Sequence, residues 1–330
     1  HDQKEYLDII MSSTNHLVNI VDNIFEYSKV IDEQFQLSNT SFSLFETIVN
    51  CTKSLAFYAH QKGLKIYLKW NYSSPNLIEG DLNRVRQIFL YLIDNAIKFT
   101  DKGFIQITLH RSSKTENGQY QFSFSVQDTG IGFEDKYAEK IFEPFFQVDN
   151  LTYRKYSGTG LGLAMVSQLI NLSHGTIVTS SKPGKGSHFF ITLPFNVSDN
   201  RPVLVLDENI HLKLLFFEED DKHIEIIETF FEKSNITCIF MSPDRLDSYL
   251  EFIKENESKF DFVIINYSKE YEGLQALENH TETILNNNVK IIMLYTMSDQ
   301  ISDRFSLEIP VFAKISLPLD MSELYCTITR

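Results

Sequence analysis

Two glycine-rich runs, Asp128-Thr129-Gly130-Ile131-Gly132 and Gly158-Thr159-Gly160-Leu161-Gly162-Leu163, are the residues best suited to chemistry in this chain. Their pairing suits a purine nucleotide. A carboxylate such as Asp128 accepts a hydrogen bond from an exocyclic amino group, and glycines beside it let a base approach the backbone. The second run can set backbone amides and a helix N-terminus against phosphates. Asn95 can coordinate Mg²⁺ through its amide oxygen, with Lys98 and Arg154 as cations one turn or one loop away. Other phosphate-binding patterns fit less well. A Walker loop needs Gly-Lys-Ser/Thr, and a dinucleotide-binding fold needs its glycines directly after a first strand.

These residues need elements to hold them. Asp81 to Phe99 is strongly periodic through Val85, Ile88, Phe89, Leu92, Ile93 and Ala96, which predicts a helix carrying Asn95 and Lys98. Strands are expected at 64–68, 104–110, 120–127, 176–180 and 188–193, and a helix from Leu161 to Leu172. Phe42 to Glu46 is expected to open a helix. Upstream, Leu7, Ile10, Leu17, Ile20, Val21 and Ile24 form an apolar stripe that predicts one long helix over 3–31, needing a partner. Residues 196–202 are polar and read as a link. Beyond it, apolar runs at 203–206, 212–217, 236–241, 262–265, 290–294 and 311–313 alternate with helical patterns at 222–233, 244–256 and 275–285. That alternation predicts a parallel sheet with crossover helices.

Composition narrows the possibilities. The 330 residues, 43% hydrophobic, suffice for two domains. Residues 1–200 carry a net charge of −2 and residues 201–330 one of −12, so a boundary is expected near 200. An acidic chain with no basic stripe argues against nonspecific nucleic-acid binding. Cys51, Cys238 and Cys326 are too scattered for a disulfide framework or a zinc ribbon and suit a reducing compartment. No run of 18 apolar residues occurs.

Gln87 to Thr100, with Asn95 in Asp94-Asn95-Ala96, resembles the N box of sensor histidine kinases. Asp128 to Gly132 resembles that family's first glycine box, Ile141 to Gln147 its F box, and Arg154 to Leu163 its second glycine box. Pro183-Gly184-Lys185-Gly186-Ser187 and Leu193-Pro194 are also similar. The resemblance covers residues 1–196. It implies an α+β two-layer sandwich of the Bergerat type, preceded by the second helix of a dimerisation and phosphotransfer hairpin. It also implies a site for ATP and Mg²⁺. Asp128 would take the adenine amino group, Asn95 would hold the metal and Lys98 would face phosphates. Residues 133–157 would form a lid hinged at Phe145 and Phe146. Gly130, Gly132, Arg154, Tyr156, Gly158, Thr159, Gly160, Leu161, Gly162 and Leu163 would complete the nucleotide site.

The chain departs from the family at two places. The phosphoacceptor box, His-Glu/Asp-x-x-x-Pro, is absent; His1-Asp2 lacks the proline, and His16 reads as a helix-surface residue. The chain therefore reads as part of a longer protein. Tyr91 stands where the family usually has Asn, four residues before Asn95. With an ordinary pKa of about 10, a tyrosine is a poor base and a poor metal ligand, so an inactive nucleotide-binding scaffold is the alternative reading.

Downstream, Leu212 to Asp221 resembles the first strand and acidic pair of a receiver domain, with Glu218 and Glu219 as the pair. Asn266 holds the phosphoacceptor Asp position, and an amide cannot form the acyl phosphate. Leu317 stands where the family has Lys before Pro, with Lys314 as the nearest cation. A doubly wound, flavodoxin-like pseudo-receiver is expected. The domains expected are 1–35 (part of the hairpin), 36–196 (ATP-binding), 197–210 (linker) and 211–330 (pseudo-receiver). The expected function is the cytoplasmic core of a hybrid histidine kinase, homodimeric through the N-terminal hairpin. Its partner would be a response-regulator receiver or a phosphotransfer protein, with any membrane anchor upstream.

Overall fold

The computed structural model describes Met11, Thr14, Val18, Val21, Asp22 and residues 24–30, 38–115, 118–148, 159–255, 259–266, 280, 284, 289–296 and 311–330. The chain divides into two compact units, His1–Cys51 with Ser74–Arg201, and Thr52–Ser73 with Pro202–Arg330.

The N-terminal segment is helical at every described position between Met11 and Val30. Of its expected stripe, Val21 and Ile24 are 42% and 43% exposed; Leu7, Ile10, Leu17 and Ile20 lie outside the described residues, as does His16. Next come β1 (Thr40–Ser43), α1 (Leu44–Gln61), β2 (Lys65–Lys69), β3 (Pro75–Gly80) and α2 (Leu82–Phe99). They are followed by β4 (Phe104–Lys114), β5 (Tyr120–Asp128), α3 (Gly162–Leu172), β6 (Thr176–Lys182) and β7 (Gly186–Pro202). The strands form one seven-stranded sheet in the order β1-β3-β7-β5-β4-β2, with β6 on β7.

Alternation builds this sheet. Phe122, Phe124 and Val126 of β5 and Ile105, Ile107 and Leu109 of β4 are buried on one face. The apolar stripe of α2 packs over them, with Phe89 edge-on to Phe124 at 5.3 Å between ring centroids. Burying one Phe or Leu side chain in such a layer contributes about 1.5–3 kcal/mol.

Two local expectations are corrected here, and one strand goes unannounced by the sequence. Phe42 and Ser43 do not open the helix; they belong to β1, where Phe42 pairs with Ile78 of β3. Ser43 then caps α1, its Oγ accepting from Glu46 N at 3.1 Å. β3 itself was not expected, because its sequence, PNLIEG, has no regular alternation. Residues 196–202 extend β7 rather than forming a turn-rich link.

In the second unit, β8 (Leu212–Phe217), β9 (Ile236–Met241), β10 (Phe262–Asn266), β11 (Ile291–Tyr295) and β12 (Ala313–Ser316) form a parallel sheet in the order β12-β11-β10-β8-β9. Relabelled within the sheet, this is 2-1-3-4-5, the flavodoxin-like doubly wound order. β10 and β11 are buried almost continuously, as strands covered on both faces must be. The helices α4 (Asp221–Phe231), α5 (Leu246–Glu255) and α6 (Met321–Ile328) follow β8, β9 and β12. Residues 203–206 are not a strand. The helix expected at 275–285 lies largely outside the described residues. Residues 52–73 belong to this unit, with Lys65 and Tyr67 hydrogen-bonded to Asp220.

Candidate functional site

The first unit brings most of the expected residues to one place. α2 begins at Asp81, whose carboxylate caps Arg84 N at 3.1 Å and holds Ser38 N at 2.9 Å. Its buried stripe of Val85, Ile88, Phe89, Leu92, Ile93, Ala96 and Ile97 faces the sheet. Arg84, Gln87, Tyr91, Asn95 and Lys98 therefore share the other face, at spacings of three and four. Asn95 and Lys98 are half-buried there. Burial lowers the Lys98 pKa, and the charge of Asp94 offsets part of that.

Asp128 ends β5 and is 5% exposed. Its Oδ1 accepts from Gly130 N at 2.8 Å and Ser187 N at 3.2 Å. Burial raises its pKa from 3.8 to about 6, against the hydrogen bonds from Gly130 and Ser187. The first glycine run is pinned to the end of α2, where Ile131 N donates to Phe99 O at 3.1 Å. A Cβ on Gly130 would lie 2.2 Å from Phe99 O. Gly132 has φ +58° and approaches Lys182 O so closely that a Cβ would sit 2.1 Å away.

The second glycine run opens α3, which packs against α2. Thr159 Oγ1 accepts from Leu161 N at 3.2 Å, Leu161 is buried and Leu163 half-buried. Gly160 has φ +71°, and a Cβ there would meet the Phe145 backbone at 2.7 Å. Phe145 is left-handed at φ 63° and 63% exposed, and its N–H donates to Gly160 O at 3.1 Å. At Gly162 a Cβ would lie 3.4 Å from the Tyr91 ring and 3.7 Å from Asn95 Nδ2. The end of α2, both glycine runs and the β6–β7 turn thus converge. Arg154, Tyr156 and Gly158 lie outside the described residues, as do 149–157 of the expected lid.

The motifs assign Ser187 no role, yet its N–H reaches Asp128; the glycines at 184 and 186 that tighten its turn are the signal for it. Gly130 N and Ser187 N supply donors to the buried Asp128 carboxylate. Asp128 sits beside glycines whose missing Cβ atoms leave room at the backbone, and Asn95 offers an amide oxygen of the kind that can join waters and phosphate oxygens around a Mg²⁺ ion.

At the switch point of the parallel sheet, Glu218 follows β8 and Asn266 ends β10. Asn266 Nδ2 donates to Glu218 Oε2 at 2.9 Å, and His223 Nδ1 lies 3.0 Å from the same oxygen. Burial disfavours the Glu218 carboxylate, but these partners outweigh it and hold its pKa below the ordinary value. Glu219 instead is exposed and accepts from Ser242 Oγ at 3.3 Å. Leu317 is buried and Lys314 is exposed on β12.

Residues 80–197 match the family described as histidine kinase-, DNA gyrase B-, and HSP90-like ATPase. The chain is 37% identical over 207 residues to hybrid signal transduction histidine kinase A of Dictyostelium discoideum, covering 61% of this chain and 10% of that protein. It is 30% identical to the sensor protein GacS of Pseudomonas syringae pv. syringae, covering 88% of this chain and 32% of that protein. The chain thus spans between about a tenth and a third of these relatives. The crystal structure of full-length ShkA in complex with AMPPNP shares the fold, with a TM-score of 0.73 at 22% identity over 100% of this chain and 65% of that one. Residues 80–197 thus carry the likeness to the histidine kinase-, DNA gyrase B- and HSP90-like ATPase family, in a chain similar to hybrid histidine kinases.

Proposed function

We propose that this chain is the catalytic core of a hybrid sensor histidine kinase, binding Mg-ATP and passing its γ-phosphoryl to a histidine outside the segment. The observation that carries this reading is the buried Asp128 at the head of the first glycine run, with Asn95 and Lys98 on the adjoining helix. The ShkA structure with AMPPNP supports it by analogy of fold. Asp128 would accept from the adenine amino group, the α3 N-terminus would face phosphates, and Lys98 would offset their charge. Mg²⁺ held by Asn95 would neutralise charge developing between leaving and accepting atoms. The chain's own contribution is orientation, since no side chain here needs to form a covalent bond. Dimerisation through the N-terminal helix, and a receiver or phosphotransfer partner, belong to the same proposal.

The parallel-sheet unit acts in this reading as a receiver that takes no phosphoryl group, because Asn266 replaces the nucleophile. A second reading, a nucleotide-responsive scaffold without transfer, is favoured by Tyr91. Burial raises its pKa, so it stays protonated and cannot serve as a base.

Calorimetric titration of the chain with Mg-ATP tests the site, with Asp128→Asn as comparison. Binding by the unaltered chain and its loss in the variant are expected; no binding by either would overturn the proposal. Phosphoryl transfer in the full-length protein separates kinase from scaffold.

A further inference from the structure

Tyr91 replaces the usual Asn of the N box, and the structure assigns the substituted side chain a set of partners. Arg84, Gln87, Tyr91 and Asn95 lie along one face of α2. Gln87 Nε2 donates to Glu26 Oε2, on the N-terminal helix, at 3.1 Å. Arg84 Nη1 donates to Gln87 Oε1 at 2.8 Å and lies 3.7 Å from Glu26 Oε2. The Tyr91 phenol is hydrogen-bonded to Gln87 in turn, and burial keeps it protonated. At the far end, the Tyr91 ring stands 3.4 Å from a Cβ position on Gly162, next to the Asn95 amide. One continuous run of contacts therefore leads from a carboxylate on the N-terminal helix to the loop that opens α3.

We infer that Tyr91 is a positioning residue that couples the N-terminal helix, through Glu26 and Gln87, to the phosphate end of the nucleotide site. This rests on the nucleotide-site reading above. The near edge of the Tyr91 ring lies against Gly162 while its phenol, which an Asn at position 91 would lack, is hydrogen-bonded to Gln87. With Glu26 in place, the ring is held against Gly162 and beside Asn95, and the site is ordered for the triphosphate. A shift of the N-terminal helix that withdraws Glu26 frees Gln87, releases the phenol and loosens the ring, so nucleotide affinity falls. By linkage, bound nucleotide tightens the same contacts at the helix. The bland alternative is that Tyr91 is an inert space-filler and that Glu26, Arg84 and Gln87 are a solvated surface network.

The two are separated by nucleotide titration of the chain and of Glu26→Ala, Glu26→Gln, Tyr91→Phe and the double variant Glu26→Ala/Tyr91→Phe, with Mg-AMPPNP as the probe. Glu26→Ala and Tyr91→Phe should each weaken binding roughly three- to tenfold, the range expected for one partly exposed hydrogen bond. Glu26→Gln keeps an acceptor for Gln87 and should stay near the unaltered value. The double variant should be no weaker than the weaker single one, because both remove the same relay. Thermal unfolding without nucleotide checks that each variant is folded, and a variant unfolded at the assay temperature is replaced by Gln87→Leu, which cuts the relay between its ends. Unchanged affinity in the single variants, or losses that multiply in the double, would overturn the coupling while leaving the nucleotide site standing. No binding by the unaltered chain would overturn the site reading, and the coupling with it.

Discussion

Asp128 is the residue whose chemistry is most exposed to test. Its pKa is raised to about 6 by burial, so the carboxylate form dominates only above that pH. The ionised form is the better acceptor for an adenine amino group, so affinity for Mg-ATP should fall as pH drops through about 6; a titration series across pH 5 to 8 checks this. The glycines also differ in what they tolerate. Gly160→Ala forces a left-handed backbone and a Cβ onto Phe145, whereas Gly162→Ala meets only ordinary contact distances to Tyr91 and Asn95. Gly160→Ala should therefore lower the unfolding midpoint by several degrees, at a cost of about 1–3 kcal/mol. Gly162→Ala should leave it nearly unchanged, and equal losses in the two would contradict the geometry. The residue types at this site were legible in the sequence because glycine, buried Asp and helical Asn each answer a distinct physical need. The network of Glu26, Arg84, Gln87 and Tyr91 was not legible, since it joins residues 61 positions apart with no motif between them.

Among elements, α2 was the most readable, because a seven-residue buried stripe at helical spacing leaves little alternative. Its N-cap is a separate contribution. Asp81 satisfies Arg84 N and also Ser38 N from outside the helix. Asp81→Ala should destabilise the chain by about 1 kcal/mol, while Asp81→Asn should cost less; chemical denaturation of the two resolves them. β3 and β1 were harder. Each depends on the other for its hydrogen bonds, and neither alternates cleanly enough to announce itself. The extension of β7 to Pro202 was hidden by its composition, since Asn, Ser and Asp there imitate a turn while the ladder continues.

For the molecule as a whole, the parallel-sheet unit carries an acidic run after β8, in which Glu218 and Asp220 are partnered by the chain itself. Glu218 is held by His223 and Asn266. Asp220 is held by Lys65 and Tyr67. Burial opposes ionisation of Asp220, but those hydrogen bonds bring its pKa from 3.8 down to about 2. A depressed pKa contributes stability above the unfolded value, and that contribution is lost as pH falls through the folded one. Acid unfolding should therefore steepen between about pH 4 and pH 2, and Asp220→Asn should flatten that window. A second outcome follows from Asn266. Incubation with phosphoramidate and Mg²⁺ should leave the intact mass unchanged; a phosphoryl adduct on this unit would refute its reading as an unmodified receiver.

The residue pattern alone points to a candidate nucleotide site and to two α/β units, the second with a parallel sheet. Glycine pairs, a carboxylate after a strand and apolar periodicity are local constraints that a chain cannot hide. The folded chain adds that β1 and β3 pair, that residues 52–73 join the second unit, that Glu218 is held by His223 and Asn266, and that Tyr91 lies against Gly162 while bonded to Gln87. Each of those depends on which distant segments fold against one another, and hydrogen bonds between distant side chains leave no period in the sequence.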